Sequence, residues 1–115
     1  MDRRQVGSLA ENSAAHFLES QGCTIVARNF LRRVGELDIV ARLDDLLIVA
    51  EVRTRASDTY GGAAASIGYS KQRRIVMTTS LFLQRHREFS RCRVRFDVLI
   101  VRDGGVEWLK HAFDA

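Results

Sequence analysis

The sequence predicts an α/β fold in which a mixed β-sheet is flanked by helices, with the elements in the order α-β-β-β-α-β-β. Length and composition indicate a single domain, because a chain of 115 residues, 46% hydrophobic and 28% charged, suits one compact domain over residues 1–115. Two segments carry apolar residues at helical spacing, and five shorter apolar or alternating runs surround them. The chain has no proline and no low-complexity stretch, so nothing marks a linker between domains.

The first helix is predicted from Ser8 to Gln21, because apolar residues recur there every three or four positions. Ser8 is suited to cap its N-terminus, and Gly22 is suited to end it. The next run, Cys23 to Arg28, is short and contains β-branched residues, which favours a strand. The chain is therefore expected to open with a helix and then a strand.

The following two apolar runs are predicted to form a hairpin. Glu36 to Leu43 and Leu46 to Arg53 have the composition of strands, and only Asp44-Asp45 lies between them, which is short enough for a two-residue turn. Counting back along both strands from this turn places Asp38 directly opposite Glu51. Two carboxylates are thus expected side by side.

The second half of the chain contributes a loop, a helix and two strands. Residues Ala56 to Gly68 are rich in Gly, Ala and Ser, which predicts a mobile loop of the kind that often faces substrate. A helix is predicted from Ser70, as its N-cap, to about Arg87. Alternation from Arg93 to Val101 predicts a strand, and Gly104-Gly105 turns the chain into a short return strand from Val106 to Leu109.

Neither a membrane span nor secretion is expected. No uninterrupted run of about 18 apolar residues occurs, and Met1 to Arg4 is followed by no apolar signal-peptide core. The cytoplasm is therefore the expected compartment. Cys23 and Cys92 lack the spacing of metal ligands or of a disulfide framework, so buried free thiols are the favoured interpretation.

The basic residues indicate a polyanionic partner, since 16 of the 18 are Arg, which can bind phosphate in a bidentate manner. Between Lys71 and Arg95 the local net charge is +7. We therefore expect a polyanion such as nucleic acid as the partner. The alternative is a solvated helix face that binds nothing. The candidate contacts are Arg55, Lys71, Arg73 and Arg74.

Asp38 and Glu51 are the first candidates for a functional site. Like charges directly across a hairpin destabilise it unless a cation lies between them. Alternation places Arg53 and Glu36 on the same face, so an ordinary surface with a Glu36–Arg53 ion pair is the alternative. Against it, Glu51 interrupts an otherwise apolar run. The residues expected on the opposite, apolar face are Leu37, Ile39, Ile48, Ala50 and Val52.

Glu11 is a further candidate carboxylate, with two competing roles. It shares a helical stripe with Ala15 and Leu18, so it can point toward the sheet. It also stands three residues after Ser8, which is the spacing of a capping box in which Glu11 would hold the start of the helix. The sequence leaves both roles open.

Several segments together carry a family resemblance. Besides Glu11, they are Gly35 to Val40, Val49 to Arg55, Tyr60 to Ser66 leading to Ser70-Lys71-Gln72, Arg95 to Val98, and Val106 to Trp108. Over nearly its whole length the chain resembles the YraN-like proteins of the PD-(D/E)xK restriction-endonuclease-like superfamily. The resemblance implies a restriction-endonuclease-like core similar to that of archaeal Holliday-junction resolvases. It also implies that Asp38 and Glu51 occupy the metal positions and that Glu11 occupies the helix carboxylate position.

One position departs from the pattern of that superfamily. Its motif usually ends in Lys, whereas this chain has Arg53, which can neutralise charge on a phosphate but is a poor base. Lys71, at the start of the second predicted helix, is a candidate substitute. The alternative for Lys71 is one more solvent-facing cation of the basic segment.

The leading hypothesis is a metal-dependent nuclease that hydrolyses phosphodiesters in structured or branched DNA. Asp38 and Glu51 would hold Mg²⁺ or Mn²⁺, assisted by Glu11, Arg53 and Lys71. The second hypothesis is a non-catalytic nucleic-acid-binding protein on a decayed nuclease fold, and a third is a scaffold that docks a partner protein. A homodimer is expected by analogy with nucleases that cut both strands.

Overall fold

The helices and strands follow the predicted order. The computed structural model describes residues 3–54 and 67–115, with side chains from residue 8 onward. The order α-β-β-β-α-β-β and a mixed sheet between helices are confirmed. Among the described residues, no helix is long and apolar enough to cross a membrane. The elements are α1 (Arg3–Ser20), β1 (Thr24–Arg32), β2 (Gly35–Leu43), β3 (Leu46–Thr54), α2 (Tyr69–Arg85), a 3-10 turn (Arg87–Phe89), β4 (Arg93–Arg102) and β5 (Gly105–Phe113).

The five strands form one sheet in the order β1-β2-β3-β4-β5. Three of the pairings are antiparallel, and β3 and β4 run parallel, with Leu46 beside Arg93 and Thr54 beside Val101. Parallel neighbours cannot be joined by a hairpin, so α2 lies in the crossover between them. It therefore begins at the end of the sheet at which β3 ends, close to Glu51.

The two helices pack on opposite faces of the sheet, each against its own cluster of buried residues. Along β3 the alternation is strict, because Ile48 and Ala50 belong to the α1 cluster while Leu47 and Val49 belong to the α2 cluster. Burying each large aliphatic side chain contributes about 1.5–3 kcal/mol of transfer free energy. The same alternation places Glu51, two residues after Val49, on the α2 side.

α1 begins earlier than predicted. Its first residue is Arg3, so Ser8 lies inside the helix and its predicted role as N-cap is wrong. The arginine and glutamine residues before Ser8 are good helix formers and carry the helix further back. The predicted end is confirmed, because Gly22 has a left-handed φ of 93° and the Cys23 N–H donates to the Leu18 carbonyl at 3.0 Å.

α2 begins at Tyr69, and its N-cap is Gly68 rather than the predicted Ser70. As a glycine, Gly68 has no side chain that could bond to the helix. Gln72 reaches back instead, since its backbone N–H donates to the Gly68 carbonyl at 3.0 Å and its Nε2 donates to the Ile67 carbonyl at 2.8 Å. The expected apolar stripe is confirmed by the burial of Ile75, Thr79 and Phe82, with Leu83 half-buried.

Two strands are longer than predicted, and each contains a residue with left-handed backbone. β1 continues beyond Arg28 through Asn29, whose φ is 54°, and β5 continues beyond Leu109 through His111, whose φ is 56°. Polar residues in these stretches interrupt the apolar alternation on which the predicted ends depended. Of the loop predicted from Ala56 to Gly68, residues 56–66 lie outside the described residues.

The left-handed Asn29 accompanies a change in the face that β2 presents. Leu37 belongs to the α2 cluster together with its cross-strand neighbour Phe30, whereas Ile39 belongs to the α1 cluster. The prediction that Leu37 and Ile39 share one face is therefore wrong. Asn29 lies between the β1 partners of these two residues, and its positive φ breaks the alternation there. Asp38 thus stands at the change of face.

Candidate functional site

The hairpin of β2 and β3 carries the predicted carboxylates. Its register is as predicted, with Leu43 paired to Leu46, but the ladder ends one position before Asp38 and Glu51. The Val52 N–H donates to Oδ2 of Asp38 at 3.0 Å. That donor would otherwise need a backbone carbonyl of β2. The hydrogen bond fixes Asp38 where the two strands separate.

Glu51 is the buried acid of the site, with only 7% of its surface exposed. Burial first, and the charge of Asp38 second, raise the pKa of Glu51 to about 7. Lys71 and Arg53 oppose part of that rise. A carboxylate so far removed from bulk water needs a cation beside it to hold its charge at neutral pH.

α2 supplies such a cation. Lys71 lies in the first turn of the helix, and its Nζ is 2.6 Å from Oε1 of Glu51. The contact follows from the crossover, since α2 starts at the end of the sheet where β3 finishes. Of the two interpretations of Lys71, substitute lysine or solvent-facing cation, the structure places its ammonium group against the buried acid.

Arg53 follows Glu51 by two residues and lies on the same face of β3. Its Nε is buried and has no hydrogen-bond partner in the described part of the chain. The alternative ion pair between Arg53 and Glu36 does not form, because the two strands separate before they reach these residues. The guanidinium group of Arg53 thus adds positive charge beside Glu51 and lowers the pKa of that acid.

Glu11 points toward the sheet rather than capping its helix. Because α1 begins well before Ser8, the capping-box role is wrong. Oε1 of Glu11 lies 3.7 Å from Nη2 of Arg28 in β1. Burial, Asp38 and Glu11, in that order, raise the pKa of Glu36. Glu11 therefore adds negative charge at the edge of the site, with Arg28 as its ion-pair partner.

The donor set suits a hard divalent cation held by two carboxylates. Across residues 3–54 and 67–115, no three His, Cys, Asp or Glu side chains lie together at metal-binding spacing, so Glu11 does not complete a triad with Asp38 and Glu51. Mg²⁺ is commonly bound through one or two carboxylates, with waters and substrate phosphates as the other ligands. Oδ2 of Asp38 accepts from the Val52 N–H, and a carboxylate has a second oxygen with which to bind a cation. The residues present therefore fit Mg²⁺ or Mn²⁺.

The predicted basic segment divides into internally paired and outward-facing parts. Arg95 donates two hydrogen bonds to the buried Asp97, at 2.9 and 2.8 Å. Arg93 pairs with Asp45 at 3.0 Å. These two arginines neutralise acids of this chain, so the total charge of the segment overstates what a polyanion would meet.

α2 carries the outward-facing part of that charge. The helix contains one lysine and three arginines and no acid. Arg73 and Arg74 are exposed and follow Lys71 by two and three residues along the helix. Arg55 lies outside the described residues. A positive surface thus adjoins the two carboxylates.

Comparison with known proteins gives a family match over most of the chain. Residues 10–101 match the model of a family described as "Uncharacterised protein family UPF0102". A UPF0102 protein of Nitrosomonas europaea is 42% identical over 111 residues, covering 94% of this chain and 92% of the relative. One from Burkholderia ambifaria is 46% identical over 113 residues (97% and 78%), and one from Serratia proteamaculans is 40% identical over 116 residues (100% and 99%).

Proposed function

The chain belongs to the uncharacterised protein family UPF0102, in keeping with its resemblance to YraN-like proteins, and from its site we propose that it is a metal-dependent nuclease acting on structured or branched DNA. The observation that carries the proposal is the contact between Lys71 and the buried Glu51, next to Asp38. Two acids and an ammonium group are the set that the PD-(D/E)xK resemblance requires. Arg53, in place of the usual lysine, leaves that set incomplete, and Lys71 completes it.

Asp38 and Glu51 are the residues that would hold Mg²⁺ or Mn²⁺, through carboxylate oxygens. Such a cation supplies a more acidic bound water and a polarised phosphate. The Val52 N–H holds Asp38 in one orientation, and burial holds Glu51. Both acids are therefore positioned before any ligand arrives, which keeps the cost of organising the site low.

Hydrolysis forms one bond from a water oxygen to phosphorus and breaks the bond from phosphorus to a sugar oxygen. The water gives up one proton, and the leaving oxygen takes one up. Lys71, through its ammonium hydrogens, is placed to orient the water or to donate to that leaving oxygen. Arg53 stays charged and neutralises the phosphate. Glu11 acts from further out, through its charge.

A non-catalytic nucleic-acid-binding protein on a decayed nuclease fold is the second candidate. The same ion pair favours it, because Lys71 already balances the charge of Glu51 without a metal. Arg53 adds to this, since a guanidinium group does not act as a base. In this case Asp38 and Glu51 fasten α2 to the hairpin, and the basic surface alone binds DNA.

The test is cleavage of a labelled four-way junction, a forked duplex and a linear duplex in Mg²⁺ or Mn²⁺. Asp38→Asn and Glu51→Gln are expected to abolish cleavage. Lys71→Met should lower the rate roughly 100-fold or more, as for other groups that stabilise developing charge. Lys110→Met is the matched control, because Lys110 is the only other lysine and lies over the Trp108 ring at 4.6 Å. It should leave the rate unchanged.

Cleavage that is equal in wild-type and Glu51→Gln protein would come from a contaminant and would contradict the proposal. Binding without cleavage would favour the second candidate if it weakens steeply with salt, because neutralised phosphates release counterions.

A further inference from the structure

One row of side chains on α2 faces away from the sheet and combines an aromatic ring, a guanidinium group and a thioether. Tyr69, Arg73 and Met77 follow one another at intervals of four residues, so they lie along one side of the helix. Tyr69 is 74% exposed, more than any other large hydrophobic residue in the described part of the chain. Single exposed apolar residues are common. This one, however, shares its row with the exposed Arg73, and it lies on the solvent side of the turn whose sheet side carries the contact of Lys71 with Glu51.

The tip of the β1–β2 hairpin lies against the same helix. Gly35 approaches α2 so closely that a Cβ there would lie 2.9 Å from Oγ1 of Thr78 and 3.3 Å from Cβ of Arg74. The exposed Arg33 stands in the turn just before Gly35, so it adds positive charge at the hairpin tip that lies beside α2. No acid of the described ranges 3–54 and 67–115 pairs with either arginine. The hairpin tip thus extends the positive surface of α2.

We propose that this surface binds a nucleic-acid strand with unpaired bases, and that Tyr69 stacks on one of those bases. The surface, called here the stacking surface, consists of Arg33, Tyr69, Arg73, Arg74 and Met77. The proposal rests on the proposed function, since it takes the carboxylate site as the position at which the same strand is cut.

Charge and shape both favour such an occupant. The arginines match a phosphate backbone, and an aromatic ring beside guanidinium groups is the combination on which bases stack, since every base has a π-face. A blunt duplex keeps its base faces covered, whereas a fork, flap or single strand exposes them. The stacking surface therefore selects DNA with unpaired bases, and it does so through Tyr69 rather than through charge.

The test compares the binding of wild-type, Tyr69→Ala and Tyr69→Phe protein to a blunt and a forked duplex with equal numbers of phosphates, in EDTA. Tyr69→Ala should bind the forked duplex about tenfold more weakly and the blunt duplex as wild type does, while Tyr69→Phe keeps wild-type affinity for both. Leu9→Ala is the matched control. It removes a 51% exposed apolar side chain from α1, on the other side of the sheet, and should change neither affinity.

A fluorescent base analogue such as 2-aminopurine at the fork reports the stacking directly. Its emission should be quenched by wild-type and Tyr69→Phe protein and not by Tyr69→Ala. Arg73→Ala should weaken binding to both DNAs alike and lower the salt slope by about one.

Tyr69→Ala protein that binds the forked duplex as wild type does, or that loses affinity equally for both DNAs, overturns the inference. The proposed function fails separately. Cleavage that depends on Glu51 without any effect of Tyr69 removes only the inference. Tyr69-dependent binding of forked DNA without cleavage supports the stacking surface and removes only the nuclease.

Discussion

At Glu51, a carboxyl group almost excluded from water lies between another acid and two cations. Burial and Asp38 raise its pKa to about 7, and Lys71 and Arg53 work against them. Without a metal the group is therefore partly protonated near neutral pH. A divalent cation that binds there competes with that proton.

The pH dependence of stability follows from this shift. Because the folded-state pKa lies above the ordinary value, the stabilising contribution of protonated Glu51 is complete below the ordinary pKa of glutamate and is lost as the pH rises through about 7. Glu51→Gln cannot ionise, so in EDTA its free energy of unfolding should exceed that of wild type at pH 8 by on the order of 2 kcal/mol, and by much less at pH 5.

Urea denaturation at both pH values measures this difference. Glu88→Gln, which alters an exposed acid of the 3-10 turn, is the control and should follow the wild-type profile. Parallel profiles for wild type and Glu51→Gln would show that Glu51 does not titrate in this range.

The residues of the site differ in how far the sequence could predict them. Asp38 and Glu51 were predictable because a two-residue turn and strict alternation along β3 are local properties. The contact of Lys71 was not, since it depends on where α2 crosses the sheet. For Glu11 the sequence left two roles open, because the start of α1 decides between them.

At the scale of elements, a buried acid fastens the edge strand β5 to its neighbour. Asp97 is 1% exposed and accepts hydrogen bonds from Arg95, from Nε1 of Trp108 at 2.8 Å and from the His111 N–H at 2.9 Å. It lies at the shift in register between β4 and β5. The carboxylate thus satisfies donors at the point where the ladder is irregular.

Asp97→Asn should therefore destabilise the fold by about 2–3 kcal/mol, because the Arg95 side chain, 25% exposed, loses its charged hydrogen-bond partner. Asp45→Asn is the matched control. It removes the ion pair with Arg93, whose side chains are both about 70% exposed, and should cost less than about 1 kcal/mol. Urea denaturation followed by the emission of Trp108, the only tryptophan, measures both losses. Losses of equal size in the two variants would contradict the role of Asp97 in holding β5 to β4.

The strands were predictable to different degrees for a physical reason. β2, β3 and β4 lie inside the sheet, where buried residues impose a clear pattern, and their predicted ends differ from the observed ends by one residue or none. β1 and β5 lie at the edges, where many side chains meet water and need not alternate. The predictions that Ser8 and Ser70 are N-caps are wrong because each helix starts before its serine, which therefore lies inside the helix.

At the scale of the whole molecule, the cation that we propose at the hairpin acids would bind only the folded chain and would therefore stabilise it. Mg²⁺ or Mn²⁺ at about 100 times its Kd should raise the free energy of unfolding by about 2.7 kcal/mol. The gain should be larger at pH 8 than at pH 6, since Glu51 must lose its proton. Thermal melts of wild-type and Asp38→Asn protein measure this effect. A shift of equal size in both would place the cation elsewhere.

The mixed sheet was predictable because the order of helices and strands leaves few arrangements. The separation of Asp38 and Glu51 at the end of the β2–β3 ladder was not predictable. It depends on the pairing of β2 with β1 and on the pairing of β3 with β4, which join different parts of the sheet. One domain and a homodimer stay predictions.

Because α2 lies in the crossover between β3 and β4, the two parts of the candidate site form at different times during folding. Asp38 and Glu51 come from a hairpin with a two-residue turn, which can form within microseconds once both strands exist. Lys71 arrives only when α2 has formed and packed on the sheet, a contact between parts of the chain that lie further apart in sequence. On a ribosome that has released the chain only as far as β3, the two acids stand without their ammonium partner, so the nascent hairpin is least stable when both are ionised.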